Sequence, residues 1–376
     1  MLTFLKKGIL ELRAMISYSA DMTTSTPLTN LCLLFGGTSE EHEISLRSAR
    51  AVRANLSPQR YVVHHIGITR DGQWLDDKNS RAMLAGEEFD SSGHAPYLPA
   101  DIDVVFPVLH GPGGEDGSIQ GWLEVQGVHF VGSGCLGSAV AMDKSITKHM
   151  LRSANLPVLP WVDVSLVDWQ TDALDVASKI AQRFSYPMYV KPTQQGSSVG
   201  VSRVEEAEQL VPALEKAFKY SDFILVEPAA EGAEYEVAIL DGKVPVVSLP
   251  GEIKVEGWYD YDNKYTNDSA KIVIPSDSIS PGMAEQLRTV ALEAFKVLRL
   301  EGYARVDFLL DKKTGRFALN EVNTIPGFTP ISMFPKLMKN SGYEFGALVD
   351  HMIVFAMSKK TVSDKKLSRQ KTETVA

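Results

Sequence analysis

The stretch RVDFLLDKKTGRFALNEVN, from Arg305 to Asn323, sets an arginine, two carboxylates and an amide at the outer ends of two apolar runs. FLL and FAL have strand character, and DKKTG between them supplies a short loop. Side chains two apart in a strand share a face, so Arg305 sides with Asp307 and Glu321 with Asn323. Pairing Leu310 with Arg316 across the loop sets Asp307 opposite Leu319 and Arg305 opposite Glu321. All four polar groups then line one face of a hairpin, a register that a single bulge would break. Two carboxylates and an amide oxygen, with no His or Cys beside them, make a hard oxygen site suited to Mg2+ held together with phosphate oxygens. The arginine can grip a phosphate or face a developing negative charge. The competing reading is a surface hairpin with an Arg–Glu cross-strand pair, and this stretch alone leaves both open.

Other segments add phosphate and substrate chemistry. In KPTQQGSSVG, Lys191 ends a strand and Gly196, Ser197, Ser198 and Gly200 follow in a loop. Small residues let backbone N–H groups close on phosphate oxygens, and the lysine adds a point charge. No Gly-Lys-Ser/Thr follows, so this is not a Walker loop; a plain hairpin tip is the alternative. MDKSITK places Lys144 and Lys148 on one helix, either within reach of a phosphate, although helical lysines are more often solvated. Glu41 stands three residues after Thr38, the spacing of a capping box; as a functional group it is a carboxylate ready for an ammonium. His110, Glu115 and Asp116 in HGPGGEDGS read either as ligands or as a glycine-rich turn into a helix. Gly132, Gly134 and Gly137 fit G-x-G-x-x-G, but no acidic residue ends a second strand ~20 residues on, which favours a tight turn over a dinucleotide site. GWYDYDNKYTNDSA, with Lys264, has the length and aromatic content of a lid or of a surface loop.

These residues need a scaffold to hold them. The chain has 376 residues, enough for two or three domains. It is 44% hydrophobic and 23% charged, with a net charge of −9. An acidic chain without a long basic run argues against nucleic acid as the main partner. Cys32 and Cys135 make no disulfide framework and suit a reducing compartment. No apolar run approaches the ~18 residues of a membrane span. Residues 1–28, interrupted by Glu11 and Arg13, do not read as a signal peptide. They are expected to be an extension, or to precede a true start at Met15 or Met22. Residues 359–376 read as a disordered tail. From Leu31 onward strand, glycine turn and helix alternate, predicting an open, mostly parallel α/β domain over 29–143. Two further units follow, 144–234, with a helix from about Leu174 to Phe184, and 235–358.

The strings LFGGTSEEHEISL, LHGPGGEDGSIQG, GSGCLGSAVAMDK, VKPTQQGSSVGVS, YDYDNKYTNDSA, ARVDFLL and NEVNTIPGFTPISMFP occur in order over about residues 31–356. Together they resemble the ATP-grasp ligases and, within them, the D-alanine–D-alanine ligase family. The resemblance implies a three-domain α/β fold: an N-terminal parallel-sheet domain, and two α+β domains clasping ATP. It implies an acyl phosphate formed from one D-alanine and attacked by the amine of a second, for peptidoglycan precursor synthesis. It implies two Mg2+ (or Mn2+) held by Asp307, Glu321 and Asn323, with Arg305 facing the oxyanion. Lys144, Lys191 and Lys264 resemble the phosphate-binding lysines. Ser198, Val199, Glu227 near adenine and Glu234 at the ribose are the other nucleotide positions. Glu41 resembles the anchor of the first ammonium, in a trio with Ser197 and Tyr265 that closes the lid. His110, Gly327, Ser332 and Met333 fall at substrate positions. A cytoplasmic homodimer is also implied. Pro228, lacking an N–H, moves any adenine contact there to another group. Tyr265 favours an amine nucleophile over D-lactate. A D-alanine–D-lactate or D-alanine–D-serine ligase, or a non-catalytic nucleotide-binding sensor, are the other readings. A degenerate sensor would be expected to lose Arg305, Asp307, Glu321 or Asn323, and all are present.

Overall fold

The computed structural model describes residues 27–230, 232–254, 271–311 and 314–359. Strands β1 (Thr29–Gly36), β2 (Tyr61–Ile68), β3 (Val104–Leu109) and β4 (His129–Phe130) form a four-stranded sheet in the order β2-β1-β3-β4. All its pairings are parallel, as the strand–helix alternation requires. Helices α1 (His42–Asn55), α2 (Asp77–Ala85) and α3 (Ser118–Gln126) make the crossovers. β3 is buried at every position, because a parallel strand is covered on both faces.

Helices α4 (Cys135–Met142) and α5 (Lys144–Ser153) lead onward. The Asp143 side chain caps α5 by accepting from the backbone N–H groups of Ser145 and Ile146, which fixes Lys144 as the first helical residue. A second sheet is antiparallel: β5 (Val162–Ser165), β6 (Met188–Pro192), β7 (Ser202–Val204) and β8 (Phe223–Pro228), in the order β5-β8-β6-β7. Helices α6 (Leu166–Thr171), α7 (Ala173–Arg183) and α8 (Leu210–Ala217) accompany it, α7 within a residue of the expected span.

The third sheet runs β12 (Lys271–Val273), β11 (Gly251–Lys254), β9 (Gly232–Leu240), β13 (Tyr303–Asp311), β14 (Phe317–Asn323), with β10 (Val246–Val247) also on β9. Helix α9 (Pro281–Val297) starts at the Ser280 cap with proline in its first turn. Helices α10 (Met333–Asn340) and α11 (Phe345–Ser358) follow. Phe328, 1% exposed, joins this part to the first sheet: its ring meets those of Phe106, Tyr303, Phe334 and Phe345 at 5.5–6.1 Å between centroids.

The β13–β14 hairpin corrects the expected register. Leu310 pairs with Phe317, not Arg316, and a bulge at Asp307/Phe308 shifts the outer part again. Asp307 therefore stands opposite Glu321, and Arg305 opposite Asn323. The residue left over on β14 is Asn320, whose Oδ1 accepts from Lys191 Nζ at 3.3 Å. The bulge re-aims one side chain toward the neighbouring sheet.

Candidate active site

β13 lies between β9 and β14, and its register lines up Glu236, Asp307 and Glu321 directly across three strands. Like charges so placed repel, and the row needs a cation. Arg305 is that cation. Its Nε donates to Asp307 Oδ1 at 2.8 Å and its Nη2 to Asp307 Oδ2 at 2.7 Å, while Nε lies 3.0 Å from Glu236 Oε2. Burial alone would lower its pKa; Asp307 and Glu236 outweigh that and hold the guanidinium firmly charged. Asn323 donates its amide to Asp307 Oδ2 at 3.0 Å, which leaves its own carbonyl oxygen for another partner. Among the described residues no three His, Cys, Asp or Glu converge on a point that could hold a metal. The set is two carboxylates and an amide, all hard oxygen donors. That chemistry fits Mg2+ completed by phosphate oxygens.

Lys144, at the start of α5, donates to the Gln195 carbonyl at 2.6 Å and lies 3.5 Å from Glu321 Oε2. Glu115, Lys144, Gly196, Glu321, Asn323 and Thr324 line one cleft. Above it, Ser197 Oγ donates to Glu41 Oε1 at 2.5 Å. Ser197 and Ser198 both adopt left-handed backbone, φ 48° and 61°, a conformation costly for any residue with a Cβ. The Glu41 contact helps to hold it. Glu41 is 8% exposed and does not cap its helix: α1 begins at His42 and no side-chain cap bond forms. The expected capping box is thus absent, because the carboxylate is committed across 156 residues of sequence to Ser197. Two glycines make room for it. A Cβ on Gly196 would lie 2.7 Å from Glu41 Oε2, and one on Gly111 2.8 Å.

His110 is buried, its ring contacting the Ile325 carbonyl at 3.0 Å, Glu115 at 3.4 Å and Ser48 Oγ at 3.0 Å. Burial pushes the Glu115 carboxyl up to about 7, and the charge of Glu41 adds to this against the pull of His110. Burial opposes charging of His110, but Glu115 and Glu41 raise its pKa above the ordinary value. Both groups bind protons more tightly folded than unfolded. The contribution of Glu115 to stability is complete below pH 4.5 and is lost as pH rises through about 7; that of His110 is complete below pH 6.5 and is lost as pH rises past its raised pKa. Glu115→Gln is therefore expected to flatten the pH dependence. Between pH 5 and 8 the wild-type chain should lose on the order of 1–3 kcal/mol more stability than the variant, read from urea midpoints. Equal slopes would show that the pair shares no proton. Asp116 instead closes the local turn, accepting from Gly113 and Ser118 N–H groups.

On the second sheet, Lys191 Nζ lies 2.6 Å and Lys148 Nζ 2.5 Å from the two oxygens of Glu227. Burial would raise this carboxyl, yet the two ammonium groups outweigh it and hold Glu227 at about 2. Lys148, read as either a phosphate ligand or a solvated helical lysine, is 2% exposed and ion-paired to Glu227. Glu234 stands on β9 opposite Leu309. Ser332 precedes α10 and its Oγ accepts from Thr329 N at 3.2 Å; Gly327 packs beside that hydroxyl and Met333 is buried. Lys264 and Tyr265 lie outside the described residues. Reading the sequence alone missed Glu236, Ser48 and Asn320; an alternating E-Y-E pattern on β9 was the one signal for Glu236.

Family models match both halves of the chain: "D-ala D-ala ligase N-terminus" over residues 30–133 and "D-ala D-ala ligase C-terminus" over residues 150–354. A D-alanine--D-alanine ligase of Clostridium novyi is 40% identical over 337 residues, covering 88% of this chain and 98% of the relative. One of Deinococcus radiodurans is 42% identical, covering 88% and 99%. The solved D-alanine-D-alanine ligase of Coxiella burnetii superposes with a TM-score of 0.79 at 31% identity, covering 93% of this chain and 100% of that one. A D-Ala:D-Ser ligase of Enterococcus faecalis gives 0.78 at 33% identity, covering 88% and 100%.

Proposed function

The chain belongs to the D-alanine–D-alanine ligase family, and on that premise we propose how its cleft performs the ligation. The protein is an ADP-forming ATP-grasp ligase that joins two D-alanine molecules for peptidoglycan synthesis. The observation that supports the assignment of residues is a cleft lined by Lys144, Gly196, Glu321 and Asn323, with Asp307 bonded to Asn323 and Arg305 behind it, and with Glu41 packed against Gly196.

Glu41 accepts the ammonium of the first D-alanine and orients its carboxylate toward the nucleotide. Lys144 and Lys191 exchange their internal oxygen partners for phosphate oxygens, so their charges stay compensated throughout. Lys264 serves the phosphates and Tyr265 completes the trio with Glu41 and Ser197. Asp307, Glu321 and Asn323 would hold two Mg2+ or Mn2+, which when bound neutralise phosphate oxygens during transfer. Arg305, fixed by Asp307 and Glu236, faces the carbonyl oxygen of the acyl phosphate as the second amine attacks. The His110–Glu115 pair stands near the first substrate, with a Glu115 carboxyl that titrates at about 7. Glu227 and Glu234 receive adenine and ribose; Ser198 and Val199 lie along the phosphates. Gly327, Ser332 and Met333 border the second substrate. Residues 29–143, 144–234 and 235–358 are the proposed domains, and the protein is proposed to act as a cytoplasmic homodimer. Among the described residues no helix is long and apolar enough to cross a membrane.

Phosphate release from ATP tests this reading. It is expected to require D-alanine and to yield one dipeptide per phosphate. L-Alanine alone should be inert, and D-lactate or D-serine should be poor second substrates. Equal turnover with D-lactate or D-serine would reassign the second site. Turnover independent of D-alanine would remove the ligase assignment.

A further inference from the structure

Lys148 lies on the buried face of helix α5 with Thr147 and Leu151. Ile146 is 49% and Met150 39% exposed, while Lys148 between them is 2% exposed. A lysine is almost never fully buried unless paired. Lys148 Nζ lies 2.5 Å from Glu227 Oε2, donates to the Leu159 carbonyl at 3.2 Å, and sits 5.4 Å from the Trp161 ring centroid. The guanidinium of Arg152 stacks on that same ring at 3.8 Å. Enclosed in this way, Lys148 is not placed to reach a phosphate. Lys191 differs: it is less buried, and it has Asn320 as a further partner beside Glu227.

The two lysines therefore have separate duties. Together with Glu227 they carry one net positive charge. When Lys191 turns to an anionic group, Glu227 keeps one counter-ion only if Lys148 stays. A buried carboxylate stripped of both would take up a proton. The distinction bears on base recognition. Adenine presents an amino donor at its sixth position and needs an acceptor there, whereas a 6-oxopurine presents an acceptor and would be met by a protonated carboxyl.

We infer that Lys148 is a positioning residue for nucleotide selection, the permanent counter-ion that keeps Glu227 an acceptor for the adenine amino group after Lys191 has moved to phosphate. The inference rests on the placement of adenine at Glu227 proposed above. Its test is the preference for ATP over ITP, as the ratio of kcat/KM values, in wild type and Lys148→Met at saturating D-alanine. The variant is expected to lose at least tenfold of that preference, chiefly through KM for the nucleotide. Its KM for ATP should also acquire a pH dependence between pH 5 and 8 that wild type lacks. Lys148→Arg, which keeps the charge, should restore much of the preference. A merely structural role would lower the unfolding midpoint and leave the ratio in place. A folded Lys148→Met with a ratio within twofold of wild type overturns the inference.

Should that variant not fold, Glu227→Gln and Glu227→Gln/Lys148→Met carry the same test. Lys148 acts through the carboxylate, so the two should agree within twofold; a further tenfold change in the double variant overturns the inference. Wild type with no preference for ATP over ITP would overturn the placement of adenine, and the inference with it. A wild-type preference that survives Lys148→Met overturns the inference alone.

Discussion

Replacing Arg305 by methionine is expected to lower kcat by about 10²–10³-fold, the loss measured when one preorganised oxyanion donor is removed. The side chain is 18% exposed and has carboxylates on two sides, so its guanidinium is fixed before any substrate binds. Reorganisation at the moment of attack is thereby avoided. Methionine retains much of the apolar stem but leaves Glu236 and Asp307 in register without their cation, with Lys144 remaining beside Glu321 alone. Their mutual repulsion adds to the loss. Arg305→Lys separates the two contributions. It keeps a charge near the row but has no planar fork to serve Asp307 with two donors while lying against Glu236. Its kcat should therefore fall between wild type and Arg305→Met. Steady-state kinetics with D-alanine and ATP, beside an unfolding midpoint for each variant, provide the measurement. A folded Arg305→Met retaining more than a tenth of wild-type kcat would exclude the guanidinium as the main oxyanion partner.

The elements that position this row follow local rules and are readable in the chain itself. Alternating strands and helices with glycine turns fix the parallel first sheet, since parallel pairing needs a crossover between strands. The aromatic and aliphatic content of FLL and FAL fixes the hairpin. What cannot be read locally is decided by partners far away in sequence. A one-residue shift at the turn and the bulge beyond it together move Arg305 from Glu321 to Asn323, and the bulge leaves Asn320 to bond Lys191, 129 residues earlier. Glu41 has the spacing of a helix cap, yet Ser197 claims it. Lys148 shares the buried face of α5 with Leu151, and its burial as a cation follows from Glu227 and Trp161, residues outside that helix. In each case a long-range charge or hydrogen bond overrides the local preference.

Phe328→Ala is expected to give a large loss of stability, about 3–5 kcal/mol, the range for removing a buried aromatic ring and leaving a cavity. The ring is 1% exposed and packs edge-on or tilted against Phe106 of β3, Tyr303 of β13, Phe334 of α10 and Phe345 of α11. It therefore joins the first sheet to the third and to both C-terminal helices. Its backbone N–H also donates to Ser48 Oγ at 3.1 Å, the hydroxyl that meets His110 Nε2. The loop from Thr324 to Ser332 is thus held at both its apolar and its polar contacts, and the Ile325 carbonyl within it contacts the other nitrogen of His110. Loosening Phe328 should release that loop, raising KM for D-alanine more than KM for ATP, because Lys191, Lys148 and Glu227 stand on a different sheet and helix. Phe328→Leu, which keeps most of the apolar volume, should recover a large part of both losses. Thermal or urea unfolding together with the two KM values decides the matter. An Ala variant within 1 kcal/mol of wild type would mean that the first and third sheets are held together without this ring.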